Sequence, residues 1–259
     1  MEVVIKQTAD EVGVLAADLI ERVIDSKPRA TIGLATGSSP LAIYTSLAER
    51  VAAGTLSFDG VRGFALDEYV GIPEDHPQSY ASVIRTEVVE PLRMDPALVQ
   101  VPDGRSVDIE VACRDYEQAI ADAGGIDIQI LGIGANGHIG FNEPTSSFAS
   151  RTRIKTLAPK TRADNARFFD SADDVPTHCV TQGLGTIMGA RRLVLVAQGE
   201  GKADAIAAAV EGPVSSMCPA SILQFHEHAT VIVDEAAASK LRLADYYKYT
   251  YDNKPAWQL

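Results

Sequence analysis

The sequence predicts an α/β fold of three layers, a mostly parallel sheet with helices on both faces, Rossmann-like, in a single domain over residues 1–259. Short apolar runs alternate along the chain with segments of helical periodicity, the order that builds a parallel sheet covered on both sides. Glycine-bearing turns follow several of those runs, where open α/β sheets collect their ligands. No repeat period, charge run or Gly/Ser linker divides the chain.

Residues 8–24 place Val12, Leu15, Ala16, Leu19, Ile20 and Val23 close to helical spacing, and Ser26-Lys27-Pro28 ends the segment. Residues 30–35 then read as a strand, 36–40 as a turn and 41–51 as a second helix. The alternation continues with a strand at 61–66, helices at 79–92 and 109–123, and a strand at 126–131. A strand at 193–197, a helix at 202–210 and a last strand at 230–233 follow, with an alanine-rich helix expected from Glu235 onward.

A chain of 259 residues with 46% hydrophobic content can bury a sizeable core. Its net charge of −12 would repel nucleic acid and anionic membranes, so neither is expected as a partner. Cys113, Cys179 and Cys218 are far apart and lack C-x-x-C spacing, which suggests buried thiols rather than disulfides or zinc. The amino terminus shows no secretory signal or membrane span, so a cytoplasmic protein is expected.

Residues 131–144, LGIGANGHIGFNEP, gather a glycine turn, a histidine and a carboxylate just after the strand at 126–131. Gly132, Gly134 and Gly137 match the dinucleotide fingerprint G-x-G-x-x-G, but Pro144 follows closely and the stretch 151–162 is basic. A dinucleotide site needs a helix there and an acid about 20 residues on, so the turn suits another ligand. His138 with Glu143 can form a proton carrier held by a carboxylate. The spacing is not that of a metal-binding helix, and His226 with His228, on one face of an expected strand, read as surface residues.

Thr36-Gly37-Ser38-Ser39-Pro40 combines backbone donors, two hydroxyls and a helix start, the makings of an anion pocket, although a capping serine before a proline is the plainer alternative. Asp67 and Glu68 end the next strand, and alternation sends only one of them into a given pocket. Which one does so is left open by the residues. Arg151, Arg153, Lys155, Lys160, Arg162 and Arg167 make a basic island suited to phosphate esters, and Lys202 follows another strand and glycine turn.

Taken together, residues 35–40, 66–71, 132–144, 150–156 and 163–170 resemble the glucosamine-6-phosphate deaminases, over about residues 33–234. The resemblance implies conversion of glucosamine 6-phosphate to fructose 6-phosphate and ammonia without metal, pyridoxal or nicotinamide. It implies that Asp67 is the base moving a proton from C2 to C1, which would settle the choice against Glu68. His138 would open the sugar ring with Glu143 holding its imidazole, and Ser38, Ser39, Arg167 and Lys202 would hold the substrate phosphate. Asn136 stands where some members carry an aspartate beside the histidine, so Asn136→Asp is expected to alter the pH optimum.

The resemblance further implies a lid at about residues 145–167 and a homo-oligomer, a hexamer, activated by N-acetylglucosamine 6-phosphate through Ser146, Arg153 and Lys155. The 6-phosphogluconolactonases and the sugar-phosphate-binding domains of some transcriptional regulators share a related fold and supply the alternatives. A lactonase does not call for the 66–71 motif, and a sensor has no use for the acid–base residues.

Overall fold

The computed structural model describes residues 1–255, the Ala172 side chain excepted. Its strands are β1 (Glu2–Lys6), β2 (Thr31–Leu34), β3 (Arg62–Ala65), β4 (Asp67–Tyr69) and β5 (Val99–Gln100), then β6 (Ile128–Leu131), β7 (Arg153–Thr156), β8 (His178–Thr181), β9 (Leu193–Ala197) and β10 (Ala229–Asp234). Its α-helices are α1 (Ala9–Ser26), α2 (Leu41–Ala53), α3 (Tyr80–Ile84), α4 (Glu90–Leu92), α5 (Ile109–Asp122), α6 (Pro159–Asn165), α7 (Leu184–Ile187), α8 (Ala203–Val210) and α9 (Ala244–Asp252).

Seven strands form one parallel sheet in the order β1-β10-β9-β6-β2-β3-β5. β2, β6 and β9 are buried along their whole length, so both faces of the sheet are covered, as their continuous apolar sequences require. From β2 the chain moves outward through β3 to β5, then returns to the other flank of β2 and moves outward again through β6, β9 and β10. The winding reverses between β2 and β6. Their loops therefore diverge and leave a crevice at the carboxyl edge of the sheet.

Local chemistry fixes the helices. Thr8 and Glu11 form a reciprocal capping box at the start of α1. Gly13 lets α1 lie against α2, since a side chain there would meet the Ala42 backbone at 2.6 Å. The expected helix at 79–92 is present but not uniform: it widens into a π-turn at Arg85–Val89, where the Glu90 N–H donates to the Arg85 carbonyl. Pro91 offers no N–H and would collide with the carbonyl four residues back, so a regular helix cannot run through it.

The alanine-rich helix expected from Glu235 does not form. Residues 235–240 are turns, and the helix begins only at Ala244. The Asp234 carboxylate accepts the N–H groups of Ala237 and Gly199, and bonds such as Leu241 N–H to the Ala238 carbonyl close the segment three residues at a time. Helix propensity yields there to the need to turn Leu241 back to the core.

A second sheet was not anticipated from the sequence. β4, β8 and β7 pair antiparallel in that order. Leu66 joins the two sheets: its N–H donates to the Leu34 carbonyl of the large sheet, while its carbonyl accepts the Gln182 N–H beside the small one. Asp67 is thus the first residue after the chain changes sheets. Tyr69, Ile72, Phe141, Leu157, Val175 and Cys179 make a separate small core beneath this sheet.

Candidate active site

The crevice is a cleft of about 380 Å³ lined by the loops that follow β2, β3, β6 and β9 and by residues around α6. Ser38, Ser39, Asp67, His138, Arg167 and Lys202 all line it. Residues drawn from the length of the chain meet there because the strands that carry them end together.

One end has the chemistry to receive an anion. Pro40 occupies the cap position of α2 without a side-chain cap, and neither the Ser38 nor the Ser39 hydroxyl makes a hydrogen bond among the described residues. The capping alternative for these serines therefore fails. Gly37 turns the loop with φ of 93°, a conformation that favours glycine and leaves backbone N–H groups beside the helix start. The Gln198 amide ties this loop to the one after β9 through the Ser39 carbonyl at 3.1 Å.

Lys202 reaches across the crevice to donate to the Ile133 carbonyl at 2.7 Å. Burial lowers its ammonium pKa, and neighbouring Arg167 lowers it further. Two cations held close to one another are a costly arrangement that an anion between them would relieve.

Asp67 and Glu68 part as strand alternation demands. The Glu68 carboxylate accepts the backbone N–H groups of Tyr69 at 2.8 Å, Tyr80 at 2.9 Å and Ala81 at 2.9 Å, and so caps the start of α3. Asp67 lines the cleft, and no hydrogen bond from the described residues reaches its carboxylate. Burial, with a smaller push from the Glu68 charge, raises its carboxyl to about 8. A carboxylate with that affinity for a proton is a competent general base near neutral pH.

The loop after β6 folds back on itself, with the Gly134 N–H donating to the His138 carbonyl at 2.9 Å. A side chain at Gly134 would lie 2.2 Å from the His138 ring, so only glycine lets the imidazole rest on the backbone. No helix follows Gly137, which removes the dinucleotide alternative. Glu143 Oε2 accepts the Asn136 amide at 2.7 Å and lies 3.5 Å from His138 Nδ1, close enough for an ionic contact and long for a hydrogen bond.

Glu143 is buried too, though less deeply than Asp67, and behaves oppositely. Burial by itself would raise its carboxyl, yet the facing His138 imidazole, the Thr161 hydroxyl and the Asn136 amide outweigh burial and hold it at about 2. It stands behind the histidine as a fixed negative charge. His138 and Asp67 share the cleft, while Asn136 and Glu143 do not line it.

The basic island does not act as one patch. Arg151 pairs with Glu117, Lys160 lies 3.8 Å from Asp164, and Arg162 donates to the Val175 carbonyl at 2.7 Å. Arg153 and Lys155 share one face of edge strand β7, and only Arg167 reaches the cleft. Ser146 is buried with its hydroxyl unpartnered, and no hydrogen bond joins it to Arg153 or Lys155. His226 and His228 precede β10 rather than lying on it, and the His228 N–H donates to His226 Nδ1 at 3.0 Å. No group of His, Cys, Asp and Glu among the described residues is placed to hold a metal.

Several lining residues went unnoticed in the sequence. Tyr69, Tyr80, Phe141 and Phe169 form an aromatic cluster, with Tyr69 and Tyr80 ring centres 4.9 Å apart. Thr161 and Asn165 project from one face of α6, to Glu143 and to the Tyr69 hydroxyl respectively. Their spacing of four residues on a helix was the signal available. The cleft thus brings two cations and two hydroxyls, a buried carboxyl and a histidine backed by a carboxylate to one place, chemistry that can move protons on an anionic small molecule.

The family model for glucosamine-6-phosphate isomerases and 6-phosphogluconolactonase matches residues 5–232. This chain belongs to that family. Among its relatives in this isomerase and lactonase family, a glucosamine-6-phosphate deaminase of Pseudarthrobacter chlorophenolicus is 61% identical over 100% of this chain and 99% of its own length. The glucosamine-6-phosphate deaminase of Rhodococcus opacus is 60% identical with the same coverage. A solved structure, described as a monomeric glucosamine-6-phosphate deaminase, superposes with a TM-score of 0.91 at 41% identity, over 93% of this chain and all of the other. The 6-phosphogluconolactonase of Trypanosoma cruzi shares the fold, with a TM-score of 0.73 over 93% of this chain and 97% of the other, at 20% identity.

Proposed function

We propose that this chain is a glucosamine-6-phosphate deaminase, converting glucosamine 6-phosphate and water to fructose 6-phosphate and ammonia. The observation that carries the assignment is the buried, unpartnered Asp67 in one cleft with His138 and the cations Lys202 and Arg167. The relatives at 61% and 60% identity and full coverage bear the same activity in their names.

In this reading the phosphate sits at the start of α2 against Ser38 and Ser39, with Lys202 and Arg167 neutralising it. Anchoring at C6 fixes the reacting carbons, so binding free energy is converted into orientation. His138, backed by Glu143, carries the proton from the C1 hydroxyl to the ring oxygen and opens the ring. Asp67 then takes the C2 proton while the substrate's own ammonium gives one of its protons to O1, and Asp67 returns the C2 proton to C1 of the enolamine so formed. The C2 iminium that results adds water and releases ammonia, which leaves the ketose. Asp67, its carboxyl raised to about 8, keeps enough basicity for the first transfer and enough acidity for the second.

The lid belongs to the same reading. Within residues 145–167, Ser150 and Thr152 are tied to the body through the Gly185 N–H and the Glu117 carboxylate. We assign the moving part to α6 and its flanks, whose closure excludes water from the opened sugar. Hexamer formation and activation by N-acetylglucosamine 6-phosphate find support in Arg153 and Lys155, paired on one strand face, and in the unpartnered Ser146 hydroxyl. The monomeric solved relative speaks against the hexamer. Light scattering during gel filtration, and kinetics with the acetylated sugar phosphate added, test assembly and activation separately.

The deciding experiment measures ammonia and fructose 6-phosphate from glucosamine 6-phosphate with the wild type and Asp67→Asn. Equal amounts of both products, lost in the variant, establish the assignment. Folded wild-type protein that yields neither product overturns it.

A further inference from the structure

Glu143 divides its two oxygens between two parts of the molecule. Oε2 serves the glycine loop, accepting the Asn136 amide at 2.7 Å and lying 3.5 Å from His138 Nδ1. Oε1 serves the lid segment, accepting the Thr161 hydroxyl and, more weakly, the Ala158 N–H at 3.4 Å. Because a carboxylate is planar and rigid, fixing Oε1 also fixes the direction in which Oε2 points.

The Thr161 contact is not a by-product of helix formation. A threonine inside a helix ordinarily returns its hydroxyl to a carbonyl one turn back. Thr161 instead leaves α6 and donates to a residue 18 positions earlier in the chain. It is 4% exposed, and Glu143 is 7% exposed, so water does not substitute freely for the bond. One turn later on the same face, the Asn165 amide donates to the Tyr69 hydroxyl at 2.9 Å, seating the helix a second time. α6 has no side-chain cap of its own at Ala158, and Glu143 stands in for one.

We propose that Thr161 is a positioning residue that couples the seating of α6 to the alignment of the Glu143–His138 pair. With α6 in place, the hydroxyl fixes the carboxylate behind the imidazole. With α6 lifted, Oε1 loses both of its donors, and the carboxylate, held only through Oε2 by the Asn136 amide, can turn about that contact and away from His138. The histidine is thereby set for ring opening only while the cleft is covered. The inference rests on the deaminase assignment and adds to it a step-specific role: ring opening depends on Thr161, whereas binding of an already open chain does not.

The test compares Thr161→Val, which keeps the shape and removes the hydroxyl, with Thr161→Ser, which keeps the hydroxyl. Each is assayed for kcat and KM with glucosamine 6-phosphate and for binding of an open-chain amino alditol 6-phosphate. Losing one hydrogen bond to a charged acceptor predicts a fall in kcat of about tenfold for Thr161→Val. KM and analogue affinity should stay within about twofold, and Thr161→Ser should recover most of the rate. Wild-type kcat in Thr161→Val overturns the proposal, as does equal damage in both variants. A loss of analogue affinity in step with kcat also overturns it, because the role would then be in packing. If the wild type itself releases no ammonia, the deaminase assignment falls first; an active wild type beside a fully active Thr161→Val removes the Thr161 role alone.

Discussion

Asp67 and Glu143 both show little surface, at 6% and 7% exposure, yet Asp67 lies deeper in the protein, and one carboxyl lies at about 8 and the other at about 2. Burial sets the cost of a charge, and the groups that face it decide whether that cost is met. Asp67 is offered no donor and has Glu68 as its neighbour, so it keeps its proton. Glu143 is offered an amide, a hydroxyl and an imidazole, so it gives its proton up. The region after β3 is thereby suited to exchanging a proton, and the loop after β6 to holding one side chain still.

The largest expected effect breaks the first half of this contrast. Asp67→Asn should lower kcat by about 10³-fold, within the range for loss of a positioned base. It should also stabilise the fold, with a definite dependence on pH. A carboxyl raised by burial contributes stability below its unfolded value and loses it as pH rises through about 8. Thermal melts should show the variant gaining on the wild type between pH 5 and pH 8.5, by roughly 5 °C or more at the upper end. Parallel melting curves across that range would show that Asp67 carries no such burden.

Glu143→Gln inverts the sign. A carboxyl held at about 2 contributes stability above its unfolded value, and that stability is lost as pH falls through about 2. The variant should melt below the wild type at pH 7, and the gap should narrow as pH falls toward 3. Its kcat should fall by about 10²-fold, less than for Asp67, because the imidazole remains and only its orientation is loosened. A stability gap that widened at low pH would contradict the assignment of donors around Glu143.

The proposed anion seat lies outside both halves and should respond differently. Lys202→Met removes a cation whose ammonium is already lowered by burial and by Arg167. KM for glucosamine 6-phosphate should rise by about 10- to 100-fold, with a smaller change in kcat. Glucosamine without its phosphate should show no such difference between variant and wild type. A loss shared by both sugars would place Lys202 elsewhere in the mechanism.

The large sheet was legible because its evidence is local. β2, β6 and β9 are continuous apolar runs, and α1 carries its own capping box. The small sheet was not, because β7 is the polar stretch Arg153–Thr156 and is a strand only through its pairing with β8, more than twenty residues away. The residues around Asp67 left two acids equivalent; the difference appears only when the backbone of α3, some twelve residues on, is brought to Glu68. The basic island misled for a related reason. Composition shows where cations are in the chain, and only folding shows that half of them are occupied by Glu117, Asp164 and Val175.

The smallest effect tests the finest feature of the contrast. The Asn136 amide gives Glu143 one of the donors that keep it ionised, at 2.7 Å. Asn136→Asp replaces that donor with an acceptor of like charge at the same place. Two carboxylates so close cannot both ionise easily, so one of the pair must bind a proton at higher pH. Fewer molecules then carry a charged Glu143 behind His138 under mildly acidic conditions. The acid limb of kcat/KM should therefore move to higher pH by about one unit, while kcat at pH 8.5 and KM stay close to wild type. Superimposable pH–rate profiles would show that the Thr161 hydroxyl and the imidazole hold Glu143 by themselves, and that Asn136 shapes the loop without tuning the charge.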